Sequence, residues 1–252
     1  MSRSTKERSG LPISERLSRL LFPPTCIGCG ELLPTFDAPD PVFCPTCKAL
    51  SEAALCEDSV TLFDGGIPCL GHINLYNYRT GKKDGVPEKL IYHLKYRGER
   101  RVTDYVSLML GRTVLTVWPV LALDRDLSTV VWTYPPRRRT ALCRYGFDQS
   151  KRLAQALADT CGGECLPVLA RTKAHVREQK HLTAADRHRN MAHAYALTPR
   201  VAGQVSGRPV ILVDDVRTTG ATLAACTSLL TKAGASSVMW VTVAKTPKYF
   251  GA

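Results

Sequence analysis

Thirteen residues, Val210-Ile211-Leu212-Val213-Asp214-Asp215-Val216-Arg217-Thr218-Thr219-Gly220-Ala221-Thr222, combine types that bind a phosphorylated sugar. The apolar run 210–213 reads as a buried strand, with Asp214 and Asp215 where it ends and a helix over about 221–233. A helix start offers unpaired N–H groups and the positive end of the dipole, so a phosphate sits there at little cost. Val216, Arg217, Thr218, Thr219, Gly220, Ala221 and Thr222 make up that loop and helix start. The three threonines add hydroxyl donors, and Gly220 lets the backbone approach a ligand closely. Adjacent strand residues point to opposite faces, so the two aspartates suit the vicinal hydroxyls of a ribose better than one tightly held metal. The stretch lacks the Gly-x-x-x-x-Gly-Lys-Thr pattern of a P-loop. An ordinary strand ending in solvated aspartates is the plain alternative, and the whole run, more than the acid pair, weighs against it.

A second anion-binding candidate follows the apolar stretch Thr129–Thr133: Tyr134, Pro135, Pro136 and Arg137, with Arg138 and Arg139 behind them. A rigid turn carrying arginines can grip phosphate oxygens bidentately, which suits a pyrophosphate. The alternative is a solvated basic loop. Residues 171–190 are polar, basic and hard to assign to regular structure, as a lid or binding loop would be. His175, His181 and His188 lack metal-ligand spacing and read as surface residues.

The 210–222 run resembles the phosphoribosyl-pyrophosphate (PRPP) motif of type I phosphoribosyltransferases. Four further segments narrow the resemblance to the ComF family, the competence-associated members: 134–139, Tyr145-Gly146-Phe147-Asp148-Gln149-Ser150, Arg171-Thr172-Lys173 with Gln179-Lys180-His181-Leu182, and Arg187-His188-Arg189-Asn190. They keep the family's order over about residues 90–247. The resemblance implies that Asp214 and Asp215 hold the ribose, 216–222 the 5-phosphate and 134–137 the pyrophosphate. It also implies a flexible loop whose participants are Lys173, Gln179, Arg187 and Asn190, and magnesium arriving with PRPP. Three positions depart from the pattern: Tyr145 where arginine is usual, Asp148 in place of asparagine, and Arg217 inside the phosphate loop, where its charge favours a 5-phosphate.

Cys26-Ile27-Gly28-Cys29 and Cys44-Pro45-Thr46-Cys47 are two CxxC pairs separated by fourteen residues. Four thiolates satisfy tetrahedral zinc, and a closed shell is structural. Disulfides and an iron–sulfur cluster are the alternatives. Few apolar residues lie between 23 and 56, so the ion is expected to supply the folding free energy there. Cys56 and Cys69 stand alone, and Cys143, Cys161, Cys165 and Cys226 read as packed small apolar residues; one zinc is expected.

The 252 residues carry a net charge of +12, and 134–190 alone hold twelve Lys/Arg against five Asp/Glu, so anionic partners are favoured. With 44% hydrophobic and 22% charged residues the chain is globular. No apolar stretch reaches the ~18 residues of a membrane span, and Leu20-Leu21-Phe22 is too short for a signal-peptide core, so a cytoplasmic protein is expected.

The expected organisation is a basic tail and short helix (1–22), a four-cysteine zinc knuckle (23–56) and a phosphoribosyltransferase-like domain (57–252). Within the last, strands at 71–78, 129–133, 168–171, 191–197, 210–213 and 237–244 alternate with helical patterns at 88–112, 147–159 and 221–233. That alternation implies an α/β fold with a mostly parallel sheet flanked by helices. Three functional readings stay open: phosphoribosyl transfer from PRPP to an unidentified acceptor, a non-catalytic single-stranded-DNA-binding competence protein, and a PRPP-responsive regulator of a competence-machinery partner. For the second, Tyr134, Tyr145 and Phe147 interleave with the basic residues as a charged, partly aromatic path. No general base is identifiable.

Overall fold

The computed structural model describes residues 21–33, 41–63, 69–79, 84–121, 126–172 and 194–247. Its centre is a six-stranded sheet of β1 (Val60–Leu62), β2 (Gly71–Asn77), β3 (Val131–Thr133), β4 (Glu164–Cys165), β7 (Pro209–Arg217) and β8 (Ser237–Lys245), in the order β1-β2-β8-β7-β3-β4. Only β1 runs antiparallel to its neighbour; the other pairings are parallel. The expected mostly parallel sheet is therefore present, and its central strands are apolar on both faces, as burial under two layers demands.

One layer is α3 (Arg100–Leu121) and α5 (Gln149–Cys161). α3 buries Val102, Val106, Leu110 and Val114, which recur at helical spacing and meet Ile211 and Val213 of β7 in one core. Each such side chain contributes about 1.5–3 kcal/mol by leaving water. The opposite layer contains α7 (Ala221–Lys232), whose Leu223, Cys226 and Leu230 pack with Val210, Leu212 and Trp240. It also contains a two-stranded antiparallel ribbon of β5 (Leu169–Arg171) and β6 (Tyr195–Leu197). Two strands expected in the main sheet thus form a separate hairpin.

Other boundaries differ for local reasons. β7 does not stop at Val213: it stays paired with β8 through Arg217, so the acid pair lies within a strand. The arginine-rich turn continues into a helix, α4 (Arg139–Tyr145), which Gly146 ends in a left-handed conformation. The 88–112 region is α2 (Val86–Tyr92), a π-helical turn at His93–Arg97, and α3. Between β6 and β7 lies a one-turn helix, α6 (Pro199–Ala202).

The cysteine segment is no detached appendage. Ile27, Leu33, Val42 and Phe43 join the α3-side core, and Phe43 meets Tyr105 of α3 edge to face at 5.4 Å. The segment thus has apolar packing shared with the main domain and not a core of its own, so folding free energy there comes from that packing as well as from any ion. Its helix α1 (Pro45–Ala53) starts at Cys44. Leu11–Leu20 of the expected N-terminal helix lies outside the described residues.

Candidate functional site

Asp214 and Asp215 point to opposite faces of β7, yet α5 reaches both, because its N-terminus lies over the end of that strand. Ser150 Oγ donates to Asp214 Oδ1 at 2.8 Å, and Gln149 Nε2 donates to Asp215 Oδ2 at 2.7 Å. Each carboxylate also accepts from the next backbone N–H: Asp215 N to Asp214 at 2.9 Å and Val216 N to Asp215 at 2.6 Å. Lys95, from the π-helical turn, places its ammonium 3.2 Å from Asp215 Oδ1. Burial, and then the charge of Asp215, raise Asp214 well above the ordinary carboxylate range. For Lys95, burial lowers and the Asp215 and Asp214 charges raise; the charges prevail, so the ammonium is retained. Two closely placed acids sharing one lysine form a high-energy arrangement of the kind found at binding sites.

Beyond Arg217 the chain turns through Thr218 and Thr219, both exposed, into Gly220 at φ +79°. That left-handed conformation is inexpensive only for glycine, and no side chain caps the helix it starts. Ala221 N donates to Thr219 Oγ1 at 3.3 Å, and the first-turn N–H groups after it open toward a small cleft of about 40 Å³ lined by Asp214, Val216 and residues 217–223. All seven predicted loop residues, 216–222, lie there beside the acid pair. Among the described residues, two buried polar atoms here have no partner: Gln149 Oε1, an acceptor next to Asp215, and Arg217 Nε, a donor next to the loop. The first complements a hydroxyl and the second a phosphate oxygen.

The 134–137 turn is adjacent but differently engaged than expected. Asp148 fixes it, accepting from Arg137 N at 2.7 Å while capping α5 at Ser150 N and Lys151 N. The Arg137 guanidinium does not face an open phosphate site: Nη1 donates to Phe147 O at 3.0 Å and Nη2 to Lys95 O at 2.9 Å. It also stacks on Tyr145 and Phe147, 4.6 and 5.3 Å from their ring centres. These bonds make Arg137 a clamp between the turn and the Lys95 segment. Tyr134 is buried, and with Phe147 it lines a cavity of about 970 Å³ beside the turn. Both rings are over nine-tenths buried, so the aromatic path drawn through Tyr134, Tyr145 and Phe147 is not an open surface.

Arg171, at the end of β5, donates to Tyr195 Oη at 2.8 Å and stacks on that ring. This pair closes the β5–β6 ribbon; burial raises the Tyr195 hydroxyl above its ordinary range, the Arg171 charge opposes that, and the Asp214 charge adds a smaller push upward. Lys173, Gln179, Arg187 and Asn190 lie outside the described residues, as do His175, His181 and His188. The residues that the sequence reading left without a role are Lys95, Gln149, Ser150, Arg171 and Tyr195. Gln149, Ser150 and Arg171 stood inside quoted family segments. Lys95 carried no local signal within the helical pattern at 88–112.

The sulfur atoms of Cys26, Cys29, Cys44 and Cys47 lie within 4.8 Å of one another and could hold a metal ion. Backbone N–H groups face them, Cys44 N to Cys26 Sγ at 3.3 Å and Cys47 N to Cys44 Sγ at 3.5 Å. A Cβ at Gly28 would stand 2.6 Å from Cys47 Sγ, so only glycine permits this approach. Burial alone would raise Cys26, but the N–H groups of Cys44, Cys29 and Gly28 bring it below the ordinary thiol range. Burial and the neighbouring thiols hold Cys47 up. The donor set is that of a closed tetrahedral zinc site. Of the cysteines expected to be packed, Cys226 is buried and Cys161 and Cys165 are partly buried, whereas Cys143 is exposed.

Residues 150–250 match the phosphoribosyl transferase domain. The acid pair and the helix-start loop lie within that matched segment, and the mostly parallel sheet flanked by helices is a phosphoribosyltransferase-like fold. The resemblance to the ComF family is also borne out by the chain's relatives. It is 32% identical over 155 residues to the DNA utilization protein YhgH of Salmonella typhi, covering 59% of this chain and 63% of that protein. It is 34% identical over 95 residues to Competence protein F of Haemophilus influenzae, covering 38% and 41%. The chain thus spans under two thirds of the length of these curated relatives. A glutamine PRPP amidotransferase structure from B. subtilis is a distant likeness, with TM-score 0.37, 20% identity, and 60% and 30% of the two chains covered. No described helix is long and apolar enough to cross a membrane.

Proposed function

We propose that this chain binds PRPP and acts as a phosphoribosyltransferase-like protein of the ComF type in DNA uptake and transformation. The observation that carries the reading is the paired set of unpartnered buried atoms, Gln149 Oε1 beside Asp215 and Arg217 Nε beside the 216–222 loop. A ribose 5-phosphate supplies what each lacks. Its 2- and 3-hydroxyls donate to Asp214, Asp215 and Gln149, and its phosphate accepts from the first N–H groups of α7, the threonine hydroxyls and Arg217. Magnesium, arriving with PRPP, neutralises charge on the diphosphate. Loss of that diphosphate develops positive charge on the ribose ring, and two adjacent carboxylates beneath it stabilise such charge without reorganising. The acid pair is thus both the ribose clamp and the electrostatic device, whereas Ser150 and Gln149 orient it.

The test is incubation with magnesium and PRPP across a pool of candidate acceptors, with pyrophosphate release as readout. Acceptor-dependent release supports transfer. Saturable binding without release would reduce the role to a PRPP-responsive regulator of a competence partner.

One observation favours a DNA contact, on a surface that shares only Tyr145 with the path first expected. Tyr92 and Tyr96 are 48% and 42% exposed, stand 5.2 Å apart, and continue to Tyr145 at 5.2 Å. Arg97 and Arg144 flank the row. Rings with interleaved cations suit bases and phosphates of a single strand. Changing both Tyr92 and Tyr96 to Ala should weaken oligonucleotide binding about tenfold or more while leaving PRPP binding unchanged; equal DNA affinity would refute this placement.

A further inference from the structure

Arg137 was the residue best suited by sequence to grip a pyrophosphate, but its guanidinium is held by the carbonyls of Lys95 and Phe147 and stacked between rings. A site for a diphosphorylated sugar still needs a cation on the anomeric side. With the 5-phosphate in the 216–222 loop and the hydroxyls on Asp214 and Asp215, the substituent on C1 points away from that loop. The elements flanking the acids there are the α5 start, the 134–137 turn and the π-helical turn.

Lys95 belongs to the last of these and meets both the 134–137 turn and the acids. Its carbonyl accepts from Arg137 and its ammonium reaches Asp215 at 3.2 Å. A lysine ammonium carries three donors, so the Asp215 pair leaves capacity for phosphate oxygens. The side chain is 26% exposed, so it is anchored at Asp215 yet not sealed from solvent. Its turn is held firmly: His93 bonds Glu99, Arg101 bonds Glu99 at 2.8 Å, and Arg101 Nη1 donates to Pro41 O at 2.8 Å. π-Helical insertions recur at functional sites because they re-aim one side chain within a helix. The residue lies outside the matched 150–250 segment, so the helical region before that segment would complete the site.

We propose that Lys95 is the contact for the diphosphate on C1 of the bound sugar. In the absence of ligand it serves as counter-ion to Asp215, and on binding it is shared with the phosphate oxygens. The proposal rests on the ribose-site reading above.

Calorimetric titration of wild type and Lys95→Met with magnesium PRPP and with ribose 5-phosphate, which lacks the diphosphate, separates the two. The expected result is an affinity loss of about ten- to a hundredfold for PRPP, the size of a lost charge-assisted bond, with ribose 5-phosphate changed by about twofold or less. Equal losses for both ligands would mean that Lys95 only positions Asp215, and overturn the proposal; so would no loss for either. Should Lys95→Met not fold, Lys95→Gln, which keeps a hydrogen bond to Asp215, must show the same selective loss. A wild-type chain that binds neither ligand overturns the ribose-site reading itself and the proposal with it. A chain that binds ribose 5-phosphate while Lys95→Met retains full PRPP affinity overturns the lysine contact alone.

Discussion

Replacing Asp214 by Asn should make the ligand-free protein more stable while abolishing its binding of PRPP. Asp214 and Asp215 are consecutive, and the second is only 6% exposed. Two carboxylates this close repel by about 3 kcal/mol at an effective dielectric near 20. Asparagine removes that repulsion but weakens the Ser150 bond, which is charge-assisted at 2.8 Å, by about 1 kcal/mol. Asp214 is partly exposed, so solvent screening trims the remainder to a net gain of about 1–2 kcal/mol. The pH dependence follows from the raised carboxyl of Asp214. The folded chain holds that proton more tightly than the unfolded chain, so wild-type stability falls as pH rises above the ordinary value of 3.8. Urea unfolding of both proteins should therefore show the gain at pH 8 and little of it at pH 4. An Asn variant no more stable than wild type at pH 8, or equally advantaged at pH 4, would refute the reasoning.

Elemental analysis of the purified chain should find one zinc per molecule, and Cys44→Ser should lower its zinc content and its melting temperature together; a metal-free protein with an unaltered melting temperature would contradict the four-cysteine assignment. His72 supplies a second pH signature. It is fully buried, its Nε2 bonds Thr242 Oγ1, and burial pushes it down to about 3. Below the ordinary value of 6.5 the unfolded chain takes up a proton that the fold refuses, so stability falls with pH by up to about 1.4 kcal/mol per unit down to about 3. His72→Gln should lack that component in melting curves taken between pH 6.5 and 4.5, and a slope equal to wild type would exclude it.

The parts of this molecule that could be read from the chain are those where local chemistry and tertiary role coincide. The apolar run 210–213, the hydroxyl loop and the helix after Gly220 each carry their own signal, and the paired CxxC segments carry theirs. Strand β7 runs on through Asp214 to Arg217 because β8 stays paired beside it, and no property of Asp214 or Asp215 alone could indicate that. The β5–β6 ribbon was legible as strands but not as a separate pair, since strand partners are not encoded in one segment. Arg137 shows the limit most clearly. Its chemistry suits a phosphate, yet the carbonyls it meets come from residues 95 and 147, brought together only by the packing of α3 against α5. Lys95 escaped notice for the same reason, because its meaning depends on an aspartate 120 positions away.

The most direct test of the ribose–phosphate site is a magnesium-dependent titration of PRPP into wild type and into the chain with Asp214→Ala and Asp215→Ala together. Saturable heats from wild type and none from the double variant are the predicted pair. Heats unchanged by loss of both aspartates would place PRPP elsewhere and contradict the account.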